Sequence, residues 1–113
     1  MFIDVKLEDY TRMLKSSTGE EYGVSDLLRV GWRIETLIRL FNLREGLDPQ
    51  REDVLPPRIW EPVPSGPSKG RRAFVSEEDF RRCLLKFYEY RGWDEEGRPR
   101  EDTVKTLGLD RLL

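Results

Sequence analysis

Residues 25 to 46 constrain this chain more than any other stretch, because they predict one long helix that is apolar on two sides. Ser25 suits the N-cap, Asp26 the first turn, and Gly46 the residue just past the end. Between them Leu27, Val30, Gly31, Ile34, Leu37, Ile38 and Phe41 recur at helical spacing, which predicts a stripe facing a core, with Phe41 buried. Leu28, Trp32, Leu40 and Leu43 form a second apolar set, roughly opposite at about 100° per residue. A helix apolar on both sides is sandwiched between layers. One further helix covers one side; the other calls for more protein than this chain offers. Gly31 costs about 1 kcal/mol against alanine in a helix interior. A close approach by another element is the expected reason for it.

The remaining periodicity is also helical. Leu7, Tyr10, Met13 and Leu14 predict a helix over about 7–17, with Gly19 as its left-handed cap. Phe2 and Ile3 are too short an apolar run to assign. Ser76 opens a third helix, with Asp79 in an imperfect capping box. Phe80, Cys83, Leu84, Phe87 and Tyr88 supply its apolar face, Gly92 ends it, and Trp93 packs back on its last turn. Asp94 to Pro99 reads as a turn. Pro99 then opens a short last helix that turns Val104 and Leu107 inward, with Leu109 packing beyond it. From about 47 to 75 no period survives. Six prolines make this span an ordered strap anchored by Ile59 and Trp60, since it is too apolar for a flexible linker. No strand pattern appears. The expectation is a single all-α domain over 1–113, of about four helices, with the strap between the second and third.

The residue inventory excludes much chemistry. There is no histidine, which removes the commonest general base and metal ligand. Cys83 is the sole cysteine, so no internal disulfide forms, and no zinc or iron–sulfur site arises from the cysteines of this chain. On the apolar face of its helix, Cys83 is expected to be a buried structural thiol. The acidic groups Glu20-Glu21, Glu77-Glu78-Asp79 and Asp94-Glu95-Glu96 lie at helix starts or turns, where carboxylates favour the helix dipole or water. Twenty basic and 22 acidic residues, for a net charge of -2, give no reason to propose nucleic acid or an anionic membrane. The basic run Lys69-Gly70-Arg71-Arg72 reads as a solvated loop. No stretch of about 18 apolar residues and no basic-then-apolar N-terminal pattern appears, and the expected setting is the reduced cytoplasm. Asn42 and Gln50 are the only side-chain amides and 37% of residues are charged, a composition that fits a thermophile.

Seven blocks in order carry a family resemblance. They are Tyr10 to Gly19, Leu27 to Ile34, Arg39 to Gly46, Leu55-Pro56-Pro57-Arg58, Gly66 to Gly70, Tyr88 to Asp94, and Leu107-Gly108-Leu109. Together they resemble the C-terminal region of the tungsten-containing aldehyde:ferredoxin oxidoreductases. Trp32, Thr36 and Ile38 depart from the family pattern and make the central helix more apolar. The resemblance implies an enzyme with a tungsten bis-pterin and a [4Fe–4S] cluster, which oxidises aldehydes to carboxylates and passes electrons to ferredoxin. Its cluster cysteines and pterin-binding motifs lie upstream of the matched region, so no catalytic, cofactor-binding or metal residue is carried onto this chain. Two readings follow. In one, this is a non-catalytic C-terminal domain or split subunit that packs on the cofactor-bearing part and helps wall its cavity; it meets ferredoxin only through the complete enzyme. In the other, it is a solitary helical module that associates with itself.

Overall fold

The computed structural model describes residues 5–112; Phe2 and Ile3 lie outside them. The described residues form α1 (Leu7–Thr18), α2 (Val24–Arg44), α3 (Pro49–Glu52), a 3₁₀ turn (Pro57–Trp60), α4 (Glu77–Arg91) and α5 (Glu101–Thr106). The all-α class stands, and no strand is present among these residues. The strap is more structured than its sequence suggests. Pro49 begins α3 behind Asp48, whose carboxylate accepts the Gln50 N–H at 3.1 Å. Trp60 anchors the strap as expected, with its ring 6.0 Å from Phe80 and 6.3 Å from Phe74.

The first turns differ in detail from expectation. α2 starts one residue before Ser25, with Gly23 as N-cap. Asp26 is the reason: its carboxylate accepts the Gly23 N–H at 2.8 Å and so completes the helix start without a hydroxyl cap. At α4, Ser76 Oγ accepts the Asp79 N–H at 3.1 Å as predicted. The Asp79 carboxylate reaches the Val75 N–H rather than that of Ser76. Gly19 and Gly92 take the left-handed cap conformation after α1 and α4.

The central helix is oriented opposite to expectation. Most of its smaller apolar set faces the interior: Trp32 and Leu40 pack on the buried cluster of Val104, Leu107 and Leu109, while Leu28 near the helix start stays exposed. Thr36 and Arg39 are also buried on that side. Arg29 donates to the Thr106 carbonyl at 2.8 Å and Trp32 Nε1 to the Arg91 carbonyl at 3.0 Å, joining α2 to α5 and to the end of α4. The richer stripe faces outward. Val30, Ile34, Leu37, Ile38 and Phe41 are 39, 54, 36, 54 and 52% exposed. The expected burial of Phe41 is therefore corrected. The physical reason is that α5, Trp93 and the end of α4 cover the side with Trp32 and Leu40, and although α1 packs against α2 it leaves Val30 to Phe41 of the other side exposed. Gly31 shows the same thing, since a Cβ built there would meet nothing within 4 Å. Cys83 is a second correction, because it is exposed. The buried direction of α4 runs through Leu84 and Tyr88, and Cys83 falls off its edge, as does the half-exposed Phe87.

Candidate functional site

The densest polar arrangement in the molecule is built on Arg39, a cation embedded in the inward side of α2. A buried guanidinium requires an anion and saturated N–H groups. Asp53, just after α3, supplies the anion. Arg39 Nη1 donates to Asp53 Oδ1 at 2.9 Å, and Nη2 donates to Oδ2, a two-pronged pairing that fits the planar fork. Arg39 Nε donates to the Gly97 carbonyl at 2.9 Å. Tyr88, from α4, donates its hydroxyl to Asp53 Oδ2. The Trp93 ring lies 4.8 Å from the guanidinium carbon and the Tyr88 ring 5.9 Å, both within cation–π range.

This network sets its own ionisation. Burial pushes the Asp53 carboxyl up, but the hydrogen bonds from Arg39 and Tyr88 outweigh it and hold Asp53 below the usual carboxylate range. Burial together with the bond to Asp53 pushes the Tyr88 hydroxyl up to about 12. For Arg39, burial works against the charge and Asp53 more than restores it. Asp53 is thus an anion engaged by three donors, and Tyr88 a neutral donor already committed. The arrangement clamps α2, the end of α3, α4 and the 94–97 turn at one point. The turn is shaped to fit: Asp94 Oδ1 accepts from the Glu96 and Arg98 N–H groups at 2.9 Å. Gly97 has φ +74°, and a Cβ there would lie 2.6 Å from Arg39 Nη2 and 2.7 Å from Tyr88 Cζ.

Asp53 and Tyr88 also floor an open cleft of about 360 Å³, walled by Leu55, Trp60, Phe80 and Leu84 and rimmed by Glu77, Glu95 and Glu96. Those carboxylates are not gathered with others as a metal site: among the described residues no three His, Cys, Asp or Glu side chains are placed to hold an ion. Cys83 stands exposed and alone. The basic run at Lys69, Arg71 and Arg72 lies in an exposed loop closed by the Gly70 N–H on the Val63 carbonyl at 2.8 Å. Sequence reasoning named Arg39 only as a member of a matched block, placed Tyr88 on the apolar face of its helix and passed over Asp53. The available signal was Arg39 itself, a charge between Leu28 and Trp32 on the helical wheel, on the side that also carries Leu43.

Residues 2–109 match the family model described as aldehyde ferredoxin oxidoreductase, domains 2 & 3. The chain belongs to the aldehyde ferredoxin oxidoreductase family. It is 43% identical over 107 residues to a tungsten-containing aldehyde ferredoxin oxidoreductase of Pyrococcus horikoshii, a match that covers 94% of this chain and 17% of that protein. A similar relative from Thermococcus kodakarensis is 38% identical over the same shares. An aliphatic sulfonate oxidoreductase, WOR-like subunit, of Pyrococcus furiosus is 39% identical over 74% of this chain and 14% of that protein. The chain therefore spans about a sixth of the length of the two aldehyde ferredoxin oxidoreductases and about a seventh of the third relative. Among solved structures, an active site complex BamBC of benzoyl coenzyme A reductase with 1,5 dienoyl-CoA superposes at a TM-score of 0.71. That match has 23% identity and covers 96% of this chain and 14% of that one, so it supports the fold alone.

Proposed function

We propose that this chain acts as the non-catalytic C-terminal part, or a split subunit, of a tungsten-containing aldehyde ferredoxin oxidoreductase. It forms one helical unit over 1–113 that packs on the cofactor-bearing remainder. That remainder holds the tungsten bis-pterin and the [4Fe–4S] cluster, oxidises aldehydes to carboxylates and delivers electrons to ferredoxin. A [4Fe–4S] cluster takes cysteine thiolates and this chain has one cysteine, the exposed Cys83; among the described residues no three His, Cys, Asp or Glu side chains are gathered, so these residues do not by themselves fit the cluster. The contribution of this chain is structural: it closes a face of the enzyme and keeps water from it. The cytoplasm is the proposed setting; no described helix is long and apolar enough to cross a membrane. The named relatives come from Pyrococcus and Thermococcus, which agrees with a charge-rich, amide-poor composition suited to heat.

The observation that carries this reading is the outward stripe of α2 on a chain equivalent to 17% of its relative. The same stripe supports a second reading, a helical module that pairs with itself. Purification of the tagged chain from its own source, with tungsten and iron quantified on whatever accompanies it, separates the two. A larger metal-bearing polypeptide at fixed stoichiometry, or the tag on such a polypeptide, supports the first. Recovery of the chain alone, metal-free and self-associated, supports the second and removes the first.

A further inference from the structure

The molecule has far more surface than its mass requires. It exposes 9373 Å², where a compact monomer of its mass exposes roughly 6,500 Å². Its radius of gyration is 18.3 Å, against about 13 Å for a compact chain of this length. Its extents of 50 × 40 × 21 Å describe a slab about two helices thick. The excess, roughly 2,900 Å², is more than three times what one partner contributes to a standard interface of about 800 Å² a side. Obligate interfaces reach that size and resemble a core cut in half.

The outward side of α2 is where that core is cut. Val30, Ile34, Leu37, Ile38 and Phe41 fall within an arc of about 100° and run about 16 Å along the helix. Gly31 lies at the edge of the arc, with open space where a side chain would stand. An apolar arc of that width fits one packed helix, and a residue without a side chain permits the closest approach of its backbone. Beside it, Leu37, Ile38 and Phe41 line an open apolar hollow that also includes Leu112. A second copy of this chain crossing the stripe would cover roughly 400 Å² per copy, from its length and the helix diameter. That leaves most of the excess bare. A larger body wrapping more than one side covers it, and the relatives carry about five-sixths of their length outside the region matched here.

We infer that the Val30–Phe41 stripe of α2 is the seat of an apolar helix belonging to the remainder of the family polypeptide, crossing nearest to α2 at Gly31. The inference rests on the reading under Proposed function and adds the surface and the kind of element that meets it. The test uses the complete Pyrococcus horikoshii relative with this chain exchanged for its matched segment, and a photo-crosslinking residue at position 34. Retention of tungsten at the parent level, with crosslinks from position 34 to residues outside the exchanged segment of the same polypeptide, is the expected result. Ile34→Glu with Ile38→Glu is expected to cut the tungsten-bearing yield at least about tenfold, because two charges are buried without partners. Lys86→Glu, on exposed α4 surface, is expected to leave it unchanged. The double variant of the 113-residue chain is expected to keep its helical circular dichroism, since both positions are exposed there. Tungsten retained while the double variant matches the parent, or while position 34 crosslinks only to another copy, overturns this surface and leaves the functional reading standing. A folded exchange protein that fails to hold tungsten removes the functional reading and this inference with it.

Discussion

At the scale of single residues, the decisive choice is to bury Arg39 and to answer it with Asp53. Both partners lie largely out of water, so removing one leaves a charge without compensation. Asp53→Ala is expected to cost about 3 kcal/mol in urea unfolding of the chain. Arg39→Met combined with Asp53→Leu should cost clearly less than the two single changes added together, because both charges are then gone. Simple additivity would show that the two side chains act independently. Tyr88 gives the network a signature in pH. Its hydroxyl is held up at about 12 from an ordinary 10.0. The folded state therefore keeps a proton that the unfolded chain has already lost. Its stabilisation is complete below pH 10 and disappears as pH rises from 10 towards 12, by roughly 2 kcal/mol. Asp53 acts at the other end, with stability present above its ordinary 3.8 and lost as pH falls through its depressed value. Tyr88→Phe should flatten the alkaline limb and also weaken the acid limb, because the Tyr88 hydroxyl is one of the donors that hold Asp53 down. An unchanged alkaline limb in that variant would assign the loss to other tyrosines.

At the scale of the element, α2 shows what a sequence reveals and what it withholds. Its existence, its length to within a residue or two, and its two apolar sides were legible from periodicity and from Gly46, whose φ of +100° is the left-handed stop the sequence implied. The choice of which side faces inward was not. Counting apolar residues favours the stripe through Ile34 and Phe41, yet α5 and Trp93 cover the side with Trp32 and Leu40. Periodicity records that a face wants burial and not which neighbour supplies it. The polar clamp was hidden for a related reason: Arg39 and Asp53 are 14 residues apart and meet only because α3 and its capped start fold the strap back. Two substitutions test the orientation within the chain on its own. Gly31→Ala should stabilise it by about 0.5–1 kcal/mol, since the added methyl meets nothing and the helix gains propensity. Phe41→Ala should cost under about 1 kcal/mol, well short of the roughly 3–5 kcal/mol of a buried phenylalanine. A full-size loss at Phe41 measured by chemical denaturation would mean that the stripe is covered in solution.

At the scale of the whole molecule, the helices, caps and clamp are native in character, while the burial that normally accompanies them is incomplete. The small cluster of Val104, Leu107 and Leu109 and the rings of Tyr88 and Trp93 supply the buried apolar centre. An unfolded chain of 13.4 kDa exposes roughly 19,000 Å². The folded chain still exposes 9373 Å², so it buries about half of that surface where a compact domain buries about two-thirds. Heat capacity reads this difference directly, because it scales with the apolar surface released on unfolding. A compact chain of this length should show about 1.6 kcal/mol/K. This one should show about 1.2 kcal/mol/K or less, since the burial it lacks is disproportionately apolar. Scanning calorimetry on dilute, monomeric chain makes the measurement, and repetition at rising concentration watches for self-association. A monomer with the full value would have closed its outward stripe by rearrangement, and α2 would then need no partner. A low value at every concentration would locate the missing burial outside the chain, where five-sixths of the length of its relatives lies.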